Sequence, residues 1–192
     1  MIRMFGSKCL PENPPGDIYV ENNQESLNID LERLKATIAK IRDLMGYRTY
    51  DVSLLLVDDQ EMRETNEETR GMDEPTDVLS FPFTEAIEPG VLTPPVVDIG
   101  DYYNMGDMMI DVPYVIRACQ DDAKYSHSDL EDEDRGVSAA MAMVMDPEER
   151  INMLLVHGML HLVGYDHIDD DDYQLMVAKE EEILRLLGKK AE

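Results

Sequence analysis

Residues 151–167 read INMLLVHGMLHLVGYDH. They place His157, His161 and His167 within eleven residues, spaced H-x3-H-x5-H, in a chain with only four histidines. From about Glu148 to Val163 the sequence is apolar on most sides, the pattern of a central buried helix. Gly164 suits the position just past the helix end, where left-handed backbone turns the chain back. On such a helix His157 and His161, four residues apart, share one face. The turn at Gly164 then returns His167 to the same point. The expectation is a central helix that carries the functional site.

Three neutral imidazoles at about 2.0–2.1 Å leave the fourth tetrahedral position of Zn²⁺ open for water. Such a water titrates near neutral pH and supplies a nucleophile, while the metal polarises an oxygen. One Zn²⁺ per chain is expected, with Ni²⁺ and Fe²⁺ as imidazole-accepting alternatives. The spacing matches H-E-x-x-H-x-x-G-x-x-H proteases, whose glutamate is the general base. Here that place is Gly158, so peptide hydrolysis by that route loses its base. Gly158 has two open readings: it leaves room for a bulky phosphodiester beside the metal, or it lets another element pack closely.

Working outward, apolar positions from Ile29 to Met45 predict a helix over 28–45, stopped at Gly46. DVSLLLV (51–57) is a buried strand signal. Asp58 and Glu61 then form a capping-box-like start to a short helix ending near Asn66. TDVLSFPF (76–83) is β-rich, and Pro82 restricts it to an edge or makes it end there. Residues 84–104, with three prolines and no clear period, read as an inserted loop. GDMMIDV (106–112) is a strand and 113–126 a helix containing Cys119. A second inserted loop is expected at about 128–147. It takes in the acidic 128–138 stretch and the apolar AAMAMVM (139–145), which extends the following helix or packs a loop. Asp169–Asp172 read as the acidic start of a helix over 173–187, with Lys189 and Lys190 at its basic end, rather than as a metal site. Residues 1–17 read as a flexible tail and 18–192 as one domain.

The chain has 192 residues and a formal net charge of −25. That charge repels duplex phosphates, so any nucleic-acid role needs a local patch or metal ions. The net-positive stretch 30–48 reads as a solvated helix face. No run approaches the roughly 18–20 apolar residues of a membrane span, so no membrane partner is expected. Cys9 and Cys119 make neither a disulfide framework nor a cysteine metal site, which fits a reducing compartment. The location expected is the cytoplasm, or an organellar stroma or matrix if a targeting peptide has been removed.

The undecapeptide HGMLHLVGYDH resembles the H-G-x-L-H-L-x-G-Y-D-H signature of YbeY-type endoribonucleases, which are ribosomal RNA maturation factors. Residues 66–83, NEETRGMDEPTDVLSFPF, resemble the same family's N-x-x-x-R…D-x-P-T-D-V-L-S-F-P segment. GDMMID (106–111) and Ser126-His127-Ser128 are weaker matches. The resemblance spans roughly 27–187 and departs from the family at Thr65 and Thr69, where Leu and Tyr are usual. It implies a small α+β fold with a mixed β-sheet packed with helices, a three-histidine metal site and single-strand RNA cleavage. His157, His161 and His167 would be the ligands, and Arg70 the functional arginine that grips a phosphate. Asp166 is a candidate for orienting a ligand, or for stabilising the turn, and His127 for lining the cleft.

Three functions follow. The first is a metal-dependent endoribonuclease acting on ribosomal RNA precursors, attacking through metal-bound hydroxide or the RNA's own 2′-OH. The second is a nonenzymatic ribosome-assembly factor with a structural metal, binding a basic small-subunit ribosomal protein or a GTPase. The third is a zincin-like metalloprotease with a base from elsewhere.

Overall fold

The computed structural model describes residues 14–97, 99, 102–124, 141 and 143–188. Four strands build the main sheet: β1 (Ile18–Asn22), β2 (Asp51–Val57), β3 (Val78–Pro82) and β6 (Asn104–Asp111). Their order is β1-β2-β6-β3, with β1, β2 and β6 parallel and β3 antiparallel to β6. β2 and β6 occupy the centre, and Val52, Leu54, Leu56, Met105, Met108 and Ile110 on them are buried. Such apolar strands are what a sheet needs where the parallel part is covered. The fold is thus the expected mixed sheet packed with helices.

Five helices lie among the described residues: α1 (Leu31–Leu44), α2 (Asp59–Arg70), α3 (Val112–Asp122), α4 (Pro147–Leu162) and α5 (Asp170–Leu186). Asp30, Asp58, Asp111 and Asp146 cap the first four through side-chain oxygens that accept backbone N–H bonds. Each cap satisfies donors that the first turn leaves without a helical partner. α4 is the central helix: eleven of its sixteen residues are buried, against β3, β6, α1, α3 and α5. No helix among the described residues is long and apolar enough to cross a membrane.

The structure departs from the sequence reading in three places. β1 was not anticipated, because IYVEN has only one half-buried face and gains its partner 34 residues away in β2. Just before it, Gly16 N donates to Arg48 O at 2.9 Å and Gly16 O accepts from buried Arg42, so this end of the expected tail is tied down. Residues 84–104 hold a hairpin, β4 (Ala86–Glu88) and β5 (Val91–Leu92), instead of an unpatterned loop. Finally, α2 runs a full turn past Asn66 to Arg70, where Gly71 at φ 73° closes it. Thr65 and Thr69 lie within it and donate their hydroxyls to the carbonyls four residues back. Residues 1–13, most of the expected 128–147 loop, His127, Cys9, Lys189 and Lys190 lie outside the described residues.

Candidate metal centre

α4 delivers His157 and His161 on one face, with their Nε2 atoms 3.1 Å apart. Gly164, at φ 86°, ends the helix, and its N–H donates to His161 O at 3.0 Å. The chain reverses there and brings the His167 ring to 5.4 Å from that of His157 and 5.0 Å from that of His161. One ring nitrogen from each histidine falls within 4.8 Å of the others. Three imidazoles on a tetrahedral Zn²⁺ place their nitrogens about 3.3–3.4 Å apart, so this donor set fits a metal after small adjustments.

Each of the two helix-borne rings is held from behind. His157 Nδ1 lies 2.6 Å from Glu180 Oε1, on α5, and both side chains are buried. His161 Nδ1 lies 2.9 Å from the carbonyl oxygen of Tyr165. In the tautomer that ligation requires, Nδ1–H donates to these oxygens and leaves the Nε2 lone pair facing the centre. Burial, followed by the neighbouring His157 and His167, lowers His161 to about 4. Burial also lowers His167. Neutral imidazoles with free lone pairs are the form a divalent cation binds.

The turn itself is braced by the unanticipated hairpin. Gly90 N donates to Val163 O at 2.9 Å, and a side chain on Gly164 would put its Cβ 2.3 Å from Ala86 Cβ. Tyr47 OH donates to Gly90 O at 2.8 Å and accepts from Leu92 N at 2.9 Å, which pins the hairpin to the core.

Gly158 faces the sheet. A Cβ there would meet Met108 Sδ at 2.9 Å, Ser80 Oγ at 3.1 Å and Val78 Cγ2 at 3.4 Å. Of the two readings open for this residue, close packing is the one the geometry supports. The absent side chain makes room for β3 and β6.

Asp166 Oδ1 accepts from the backbone N–H of His167 at 2.7 Å, which stabilises the turn. Arg70 stands exposed in the last turn of α2 and makes no hydrogen bond or ion pair with another described residue. Nearby arginines are engaged, Arg63 with Asp73 and Arg117 with Asp59. In a chain this acidic, an unengaged guanidinium is available to an external anion.

Two carboxylates escaped the sequence reading. Glu180 was legible in principle: it interrupts the buried stripe Met176, Ile183 and Leu184 at helical spacing, where an acid needs a partner. Asp77, just before β3, accepts from Val78 N at 2.8 Å and Thr76 Oγ1 at 3.3 Å. Burial pushes its carboxyl above the usual range, and His157 is the strongest opposing influence. No local pattern links Asp77 to the histidines, since β3 reaches α4 only through the tertiary fold.

The family model described as Endoribonuclease YbeY matches residues 19–188. The chain belongs to the YbeY endoribonuclease family. Human Endoribonuclease YbeY is 27% identical over 173 residues, covering 90% of this chain and 89% of the human one. The Clostridium acetobutylicum protein of the same name is 34% identical over 177 residues, covering 87% and 95%. The solution structure of TM1509 from Thermotoga maritima has a similar fold, with a TM-score of 0.50 at 21% identity, covering 90% and 92%.

Proposed function

We propose that this endoribonuclease cuts single-stranded RNA, in ribosomal RNA maturation and ribosome quality control, at a divalent metal held by His157, His161 and His167. The observation that carries the proposal is the convergence of three imidazole nitrogens within 4.8 Å in a chain of this family. Zn²⁺ is the cation the donor set favours, and Ni²⁺ and Fe²⁺ also accept imidazole. When bound, such a cation polarises a phosphate oxygen and acidifies a coordinated water.

The chain's own residues do the rest. Glu180 and the Tyr165 carbonyl hold the rings of His157 and His161 in the ligating tautomer and orientation. Arg70 holds the phosphate and offsets the charge that grows on its oxygens, a task suited to a planar, permanently charged fork. Asp77, held by Val78 N and Thr76 Oγ1 next to the Val78 that packs at Gly158, is a further candidate carboxylate. His127 stays a candidate for lining the cleft.

The protease reading is disfavoured because position 158 has no acid and no space for one. The structural-metal reading is disfavoured because the three ligands among the described residues leave a position open, and structural sites are closed. The −25 charge favours a basic small-subunit ribosomal protein as a partner, alongside a ribosome-assembly GTPase. Cysteine usage favours a reducing compartment, the cytoplasm or an organellar stroma or matrix. The test is cleavage of a single-stranded RNA by metal-loaded protein, beside His161→Ala and with casein as a control. Wild type cutting RNA but not casein, with His161→Ala inactive, is the expected outcome. Cyclic phosphate ends would identify 2′-OH attack, and linear ends attack by water.

A further inference from the structure

Between the end of α2 and the start of α3 lies a cavity of about 510 Å³, lined in part by Arg70. We infer that this cavity takes one unpaired nucleobase of the RNA, beside the phosphate that Arg70 holds. The inference rests on the phosphate role proposed for Arg70.

The lining has the chemistry of a base site. Tyr114, Met72 and Pro75 offer apolar surface, and Asn66 and Thr76 offer polar groups. A nucleobase has that same character, with apolar faces and a polar edge. Pockets of about 300–1,000 Å³ hold small ligands. Charge decides between a base and a longer stretch of backbone. Arg70 and Glu74 are the two charged residues in the lining and cancel each other. The cavity therefore accepts a neutral heterocycle next to one phosphate, while a second phosphate would meet no excess cation.

Tyr114 is built as a fixed platform. Its backbone N–H donates to Asp111 Oδ1 at 2.9 Å, the cap that fixes where the residue sits at the start of α3, and Asp111 is fully buried. The Arg117 guanidinium sits 5.7 Å from the centre of its ring, and Arg117 is itself clamped by both carboxylate oxygens of Asp59. A ring held in advance loses little freedom when a base stacks on it. Asn66 is fixed too, with Nδ2 donating to Glu74 O at 2.8 Å. Its Oδ1 is buried without a partner among the described residues.

The cavity adjoins the metal centre through a single segment. Thr76 lines it, and Val78, two residues on, packs at Gly158, the residue after the ligand His157. A base in the cavity would therefore belong to a nucleotide near the cut. A paired base would first have to leave its stack, which costs free energy, so the cavity selects single-stranded RNA.

The test compares adenosine 5′-monophosphate with ribose 5-phosphate by calorimetry on the metal-loaded protein. The nucleotide is expected to bind at least about fivefold more tightly, the low end for base–aromatic stacking. Tyr114→Leu should remove most of that difference and Tyr114→Phe should keep it. Equal binding of the two ligands to wild type overturns the inference, and that measurement needs no variant to fold. A difference that survives Tyr114→Leu intact overturns the cavity as its location. RNA cleavage is measured in parallel. Wild type that cuts RNA without preferring the nucleotide sinks this inference alone. Wild type that prefers the nucleotide but leaves RNA uncut sinks the nuclease reading and leaves the base site standing.

Discussion

His157 Nδ1 and Glu180 Oε1 lie 2.6 Å apart in the buried contact between α4 and α5. The pair links the first candidate ligand to a helix that begins after the last one, so the metal centre and the C-terminal packing depend on each other. Partners of this kind fix ring orientation and raise ligand basicity, and their loss typically costs 10–100-fold in metal affinity. Glu180→Gln is therefore expected to weaken metal binding by about that factor. Competition against a chelator measures it. Unchanged affinity would reduce Glu180 to a space-filling role.

Gly158 permits the approach of β3, so substitution there should act on stability. Gly158→Ala pushes a methyl towards Met108 Sδ and Ser80 Oγ. Overpacking of this size costs about 1–3 kcal/mol, offset by about 1 kcal/mol from better helix propensity. Met108 is flexible and can yield, so a modestly lowered melting temperature is expected. Gly158→Glu would drive a charge into the same contact and should prevent folding. A Gly158→Glu protein with wild-type Tm and metal content that only fails to cut RNA would restore the phosphodiester reading.

Arg70→Ala should lower RNA cleavage by roughly 10²–10³, the loss typical of one group that stabilises transition-state charge. Melting temperature and metal content should not move, because the side chain is exposed and engages no described residue. Arg70→Lys should recover part of the rate as a point charge without the planar fork. Unchanged cleavage together with a sharp fall in Tm would make Arg70 structural.

His161 is lowered to about 4 from 6.5, which sets the pH response of the metal-free protein. Between those values the unfolded chain binds a proton that the folded chain does not. Stability therefore rises with pH across that window and is lost on acidification. From pH 7 to pH 4.5 the loss from this residue is about 2 kcal/mol. Denaturant unfolding of chelator-treated wild type and His161→Gln at both pH values isolates it. Wild type should lose more stability than the variant, and equal losses would show that burial of His161 has no energetic consequence.

The three histidines were legible because their convergence is local. Four residues make one helical turn, and a glycine with left-handed backbone makes the return, so eleven consecutive residues contain the geometry. The central helix and the strands β2 and β6 were equally legible, since burial on all sides leaves continuous apolar runs that need no knowledge of their neighbours. Tertiary structure alone decided what lies behind and beside the site. Glu180 meets His157 across 23 residues, and Ala86 closes on Gly164 from a hairpin too short to show a period. Gly158 illustrates the division best: the sequence by itself excluded a glutamate base, while the space beside that glycine was settled by Met108, Ser80 and Val78 from two distant strands. Spacing along one helix specifies which donors point the same way. What they point towards depends on contacts between segments whose separation in the chain carries no signal of their meeting.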